Sequence, residues 1–185
     1  MKKTYIAILL SLTIATPALA DNTSKAYIAA DFGSATYSNV AEYPTSTNII
    51  RIAGGYYINS SVAVEVGYTK FADVALVNAT SAGRLSASTF QVAAVGIYPL
   101  NNQFDITGKL GISMNTVKDS GTLVNGSNPW SYPYSKTSLM YGVGAQYHMT
   151  RQFSVRAQYE YFGDMSGTSP AVTSSAISVG VAYIF

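Results

Sequence analysis

Residues 176–185 read AISVGVAYIF. Ile177, Val179, Val181, Tyr183 and Phe185 fall on one face of an extended chain, and Ser178, Gly180, Ala182 and Ile184 on the other. Strict alternation is the period-two signature of a strand with two unlike faces. A soluble sheet would bury the apolar face and give the other face charged residues to meet water. Here the second face carries no charge and its residues are mostly small, so the apolar side is the candidate exterior.

Composition points the same way. Charged residues make up 11% of the chain while Tyr alone occurs 15 times, against about 25% charged in ordinary globular domains. There is no cysteine, which excludes disulfides, thiol catalysis and thiolate metal sites. Beyond residue 20 no apolar run approaches the ~18 residues of a spanning helix, and a membrane architecture without such a helix is a closed β-barrel.

The first twenty residues, MKKTYIAILLSLTIATPALA, have the order of a secretory signal peptide. Lys2 and Lys3 are followed by an apolar run from Tyr5 to Ile14, then by Pro17 and the small-residue Ala18-Leu19-Ala20 site. The run is too short to anchor the chain across a bilayer. Cleavage after Ala20 is expected to leave a single domain, residues 21–185. Loss of Lys2 and Lys3 from the eleven basic residues leaves nine, matched by nine acidic ones. A formally neutral chain implies no nucleic-acid partner.

Alternating segments continue upstream. Strands are expected at about 26–37, 48–59, 61–72, 87–99, 104–117, 137–149, 153–163 and 175–185, with ends uncertain by ~2–4 residues. Short connections at 59–61, 99–103 and 149–152 alternate with long ones at 38–47, 73–86, 118–136 and 164–174. That is the pattern of an all-β, eight-stranded antiparallel up-and-down transmembrane barrel with tight periplasmic turns and longer external loops.

Parity within the strands separates two surfaces. One carries residues such as Ile28, Phe32, Ile50, Ile52, Val64, Val66, Leu110, Ile112, Leu139, Val143 and Val155, and only Lys70, near the external end, charges it. The other carries Asp31, Arg51, Glu65, Lys109, Gln146, Arg156 and Glu160, interspersed with glycines, as the interior of a narrow barrel requires. Three acids balanced by Arg51, Lys109 and Arg156 read as a neutral ion-pair plug. A soluble lipocalin-like barrel would need the faces reversed. Aromatic rings collect at strand ends, where amphipathic side chains suit the headgroup boundary. Tyr98, Phe104, Tyr147, Phe153, Tyr183 and Phe185 are expected in the periplasmic girdle, and Tyr37, Tyr68, Phe90, Tyr141 and Tyr161 in the external one.

GGYYINSSVAVEVGY (54–68), FQVAAVGIYPLNNQFDITGKLGISMN (90–115), VRAQYEY (155–161) and the final AISVGVAYIF resemble the transmembrane domain of the OmpA-like small-barrel superfamily. The resemblance covers almost all of residues 21–185. It implies an outer-membrane barrel with a charge-occluded interior, and it implies that Tyr183 and Phe185 form a signal read by the barrel assembly machinery. Glu65, Lys109 and Arg156 keep the charge type of the family's interior network. Asp31 stands where the family has a lysine and Gln146 where it has a glutamate, so the network is expected to be rearranged. The chain is expected to lack the family's periplasmic domain, and with it peptidoglycan anchoring.

Catalytic chemistry has little material. His148 is the one histidine, at the periplasmic end of the sixth expected strand, whereas small-barrel lipid-modifying enzymes work near the external leaflet. A polar interior or interfacial side chain is the expected role, and no enzyme activity, cofactor or metal is expected. The four matches to the N-glycosylation pattern are chance in a bacterial exported barrel. In KDSGTLVNGSNPWSYPYSK (118–136), Trp130, Tyr132 and Tyr134 alternate with prolines. They are expected to fold back onto the barrel rim or the headgroups, with a rigid contact patch as the competing reading. The sequence therefore specifies a non-enzymatic outer-membrane barrel of a Gram-negative envelope, lodged in outer membrane lipids and lipopolysaccharide. Its expected role is structural, with loops available for adhesion to host or phage surface ligands. A narrow porin-like channel is the alternative.

Overall fold

A computed structural model of the protein describes residues 26–39, 45–77, 81–123, 129–166 and 171–185. The expected signal peptide, residues 1–20, lies outside the described residues. The strands are β1 (Ala26–Ser38), β2 (Ser46–Tyr57), β3 (Val62–Phe71), β4 (Val74–Val77), β5 (Ser81–Pro99), β6 (Phe104–Leu123), β7 (Trp130–His148), β8 (Phe153–Asp164) and β9 (Thr173–Ile184). Every pairing is antiparallel. β1 pairs with both β2 and β9, and β3 pairs with β5, so eight strands close into a ring. β4 lies outside that ring, paired with the external part of β5.

The two faces separate as the alternation dictates. In β9, Ile177 is 65% exposed and Ser178 2%. In β3 the pattern is strictly exposed–buried from Val62 to Phe71. Exposure of Ile, Val, Leu and Phe around the whole wall is the lipid-facing surface of a membrane barrel. Three periplasmic turns share one device, a side-chain oxygen accepting from the backbone N–H two residues on. Asn59 accepts from Ser61 and Asn101 from Gln103, both at 2.8 Å, and Thr150 from Gln152 at 3.2 Å. These local hydrogen bonds replace the ladder where the chain reverses.

Two of the expected loops are largely strand. Most of 73–86 is β4 and the start of β5, and 118–136 is the end of β6 and the start of β7. β6 has 20 residues, where about ten tilted residues cross the apolar band. Its outer half continues as a ribbon in which Lys118 faces Pro133 and Gly121 faces Trp130. β7 pairs with β8 only from Tyr141 inward, so Pro133 lies on a free ribbon edge, where its missing N–H disturbs no ladder. Both ribbon faces meet water, which removes the apolar alternation that marks the membrane-spanning strands.

The external girdle also needs one correction. Tyr37 is buried inside the barrel, because it shares the parity of Tyr27, Asp31 and Ala35. Tyr68 and Phe90 face each other across β3 and β5 on the outer surface, and Tyr141 stacks on Tyr161 with centroids 5.0 Å apart. At the periplasmic end Phe104 meets Tyr147, and Tyr183 packs edge-on between Phe153 and Phe185, each at 5.1 Å.

Candidate functional site

The lumen is built in layers. Its periplasmic floor is Tyr27, Ala29, Ala63, Val95, Ala182 and Ile184, with Tyr57 and Ile97 against them. Above the floor, β1, β2, β3, β6 and β8 aim Asp31, Arg51, Glu65, Lys109, Arg156 and Glu160 at a common centre, all of them buried. Glu65 is the hub. It pairs with Arg51, accepts from Lys109 Nζ at 2.8 Å and Arg156 Nη1 at 2.9 Å, and takes the Tyr27 hydroxyl at 2.8 Å. Asp31 is clamped between Arg156, whose Nε lies 2.7 Å away, and Arg51 at 3.1 Å. Glu160 lies 3.1 Å from Lys109 and 3.3 Å from Arg51, and Lys109 also donates to Gln158 at 2.7 Å. Three carboxylates thus face three cations with no net charge, the condition under which ionised groups persist away from water.

Small residues make the approach possible. A Cβ on Gly55 would lie 2.1 Å from the Tyr27 ring, and one on Gly180 would lie 2.3 Å from Asp31 Oδ1. Gln146, expected within the charge network, is buried on the lumen side, paired across the strands with Arg156. It lines a small cavity of about 20 Å³ with Tyr57, Asp105, Arg156 and Gln158. That is room for one or two waters.

Above the charges, Thr89 donates to Asn115 at 2.7 Å, and Asn115 and Ser113 donate to the carbonyl of Phe162 at 3.0 and 2.6 Å. That carbonyl is free for them because β8 bulges between Tyr161 and Gly163. Gly163 takes φ +73°, a conformation that costs a glycine little. Phe162, on the inward parity of Glu160, sits over the lumen, where Tyr37, Ile49, Phe71, Met165 and Ala176 complete an apolar cap. Phe71 sits 5.7 Å from Tyr37 and 5.8 Å from Phe162, ring to ring. Sequence reasoning overlooked this cap, although counting in twos from Arg51, Glu65 and Glu160 reaches Ile49, Phe71 and Phe162.

Tyr132 and Tyr134 lie on the outer half of β7, paired with β6. They stay 56% and 43% exposed on the ribbon face that continues the lumen parity, opposite Asp119 and Val117. The backbone of Trp130 pairs with Gly121; its side chain lies outside the described residues. His148 joins Asp105 at 2.7 Å and Ser154 at 2.9 Å, a Ser–His–Asp chain in which Ser154 is 1% exposed.

A closed antiparallel barrel with an apolar exterior, aromatic girdles and a charge-filled lumen is an integral barrel of a bacterial outer membrane. The chain belongs to the family described as the outer membrane protein beta-barrel domain, whose pattern matches residues 6–185. It is 28% identical over 198 aligned positions to outer membrane protein A of Salmonella typhi, and 29% over 198 to that of Escherichia coli O157:H7. Both alignments cover 100% of this chain, which spans 56% and 55% of those proteins, little more than half their length. Among solved structures it resembles the attachment invasion locus protein Ail of Yersinia pestis, crystallised with the heparin analogue sucrose octasulfate, with a TM-score of 0.66 at 19% identity. It resembles Neisserial surface protein A with a TM-score of 0.61 at 23% identity. Each likeness covers 89% of this chain and 100% of the other.

Proposed function

We propose that the protein is a non-enzymatic structural component of the outer membrane that also presents a binding surface outside the cell. The observation that carries this reading is the filled lumen: an apolar floor, a neutral ion-pair cluster and an apolar cap in series. Such an interior favours a load-bearing barrel over the channel alternative. Catalysis is disfavoured by access, since the one Ser–His–Asp chain holds its hydroxyl in a buried position. Residues 1–20 would direct export and be removed. Tyr183 and Phe185, joined edge-on at the end of β9, would serve as the signal read by the assembly machinery.

The binding surface would be the β6–β7 ribbon with its exposed Tyr132 and Tyr134. Rigid aromatic rings on an ordered hairpin supply contact area at small entropic cost. Host or phage surface molecules are the partners such a surface would meet. The Yersinia structure holds a heparin analogue, which is a property of that protein and sets no ligand here.

Planar-bilayer recording separates the two roles of the barrel. The structural reading expects no sustained current from purified protein, and stable open steps would transfer the function to the channel. For the ribbon, replacing Tyr132 and Tyr134 with Ala should abolish attachment to target cells while leaving the folded barrel and envelope integrity intact. Attachment at the original level would remove the binding role.

A further inference from the structure

The outward-facing cations of the described strands are Lys70 on β3, Arg84 on β5 and Lys118 on β6. These strands are neighbours in the wall, and all three residues lie beyond the last large apolar row of β3, β5 and β6, while Ile50 of β2 stands beside Lys70. That row is Tyr68, Phe90 and Met114, paired across the strands. One step outward the register reads Lys70, Ser88, Thr116, Ser135; the next brings Ser86 beside Lys118; the third brings Arg84 beside Ser120. With ~3.3 Å of rise per residue and a strand tilt near 40°, each step lifts the chain by about 5 Å. Lys70, Lys118 and Arg84 therefore stand about 5, 10 and 15 Å higher than Tyr68, Met114 and Phe90, the last large apolar residues of their own strands. The outward positions at the external ends of β1, β2, β7 and β9 carry no cation.

Asp73 organises the group. It lies 3.5 Å from Lys70 and 3.6 Å from Arg84, all three at least one-third exposed. A hydrogen bond from Ser86 and the charge of Lys70 hold its carboxyl below the usual carboxylate range. One acid among three cations leaves an excess of positive charge, bordered by the hydroxyls of Ser86, Ser88, Thr116, Ser120 and Ser135.

We propose that this band docks the phosphorylated disaccharide headgroup of lipopolysaccharide, the lipid A of the outer leaflet, with its acyl chains lying on the rows of Tyr68, Phe90 and Met114. The sign of the charge, its height directly above the belt and the adjacent hydroxyl donors match a phosphate carried on a lipid. The cations lie on the face that continues the lipid-facing wall, whereas a soluble polyanion would approach the ribbon tip. The proposal rests on the membrane-embedded barrel, and Lys136 on the opposite ribbon face serves as its internal control.

The test uses protein purified from outer membranes in mild detergent, freed of bound lipid, with native mass spectrometry as readout. Bisphosphorylated lipid A, its dephosphorylated form, phosphatidylglycerol and inorganic phosphate are titrated separately. Wild-type protein should retain the bisphosphorylated lipid most tightly. K70Q, R84Q and K118Q should each weaken retention by about fivefold, and the triple variant by roughly a hundredfold. K136Q should match wild type, and the dephosphorylated lipid should bind weakly to every variant alike. Wild-type retention by the triple variant would overturn the proposal. So would equal binding of dephosphorylated lipid A or of phosphatidylglycerol, or displacement of lipid A by inorganic phosphate. Heat-modifiable mobility keeps the failures apart: wild-type protein that never folds in bilayers would contradict the membrane reading itself, while folded variants with unchanged retention contradict this site alone.

Discussion

Glu65 shows how one side chain can hold a lumen closed. It receives Arg51, Lys109, Arg156 and the Tyr27 hydroxyl, so its removal leaves three buried cations with two carboxylates. Glu65→Gln should destabilise the folded barrel by about 3–5 kcal/mol, the range for breaking one partner of a buried pair. Urea titration followed by heat-modifiable mobility measures it, and an unchanged midpoint would mean that water already solvates the cluster. The charge-swapped pair Glu65→Arg/Arg156→Glu should recover only part of the loss, because Arg156 also serves Asp31 at 2.7 Å. The members of this cluster were legible in the sequence, since parity alone turns Asp31, Arg51, Glu65, Lys109, Arg156 and Glu160 inward. Their partners were not. Arg51 meets Glu160 across the lumen, a contact set by the stagger of the closed sheet rather than by any local pattern.

Among the elements, β8 and the β6–β7 ribbon carry the departures from simple alternation. Phe162 lies in the cap on the inward parity of Glu160, and Phe162→Ala should cost about 3–5 kcal/mol, as large-to-small changes in packed cores do. The same urea assay reads it. A near-neutral result would mean that the cap is solvated rather than packed. Removal of Phe185 should lower the yield of heat-modifiable barrel in cells, because its backbone N–H donates to Ala26 at 3.0 Å and its ring packs on Tyr183. Wild-type yield would deny the terminus its assembly role. Orientation is tested by epitope tags. One placed between Asn125 and Gly126 should be stained on intact cells, and one in the turn at 149–152 only after permeabilisation; the reverse would invert the barrel. The membrane-spanning stretches were readable because lipid on one side and packing on the other impose period two. The ribbon was read as loop because water on both faces erases that signal. Tyr37 was assigned by its ring and its strand end, when its parity with Asp31 should have decided.

At the scale of the whole molecule, one rule of placement explains wall, lumen and headgroup band together. Apolar side chains face lipid through the belt, paired charges fill the centre, and cations appear outside only where the belt ends. Sequence alone reached the strand count of the closed ring and its two faces. It did not reach the layered floor and cap, which require knowing which inward residues share a level. The central claim is the assignment of faces, and the chain supplies its own matched reporters. Ile49 and Ile50 are adjacent in β2, the first 1% and the second 62% exposed. In methyl-labelled protein in lipid nanodiscs, doxyl-tagged lipid tails should broaden the methyl resonances of Ile50, Ile52, Val66 and Val181 while leaving Ile49 and Val95 sharp. Broadening of Ile49 to the same degree as Ile50, or of Val95 to the degree of Val181, would contradict the account.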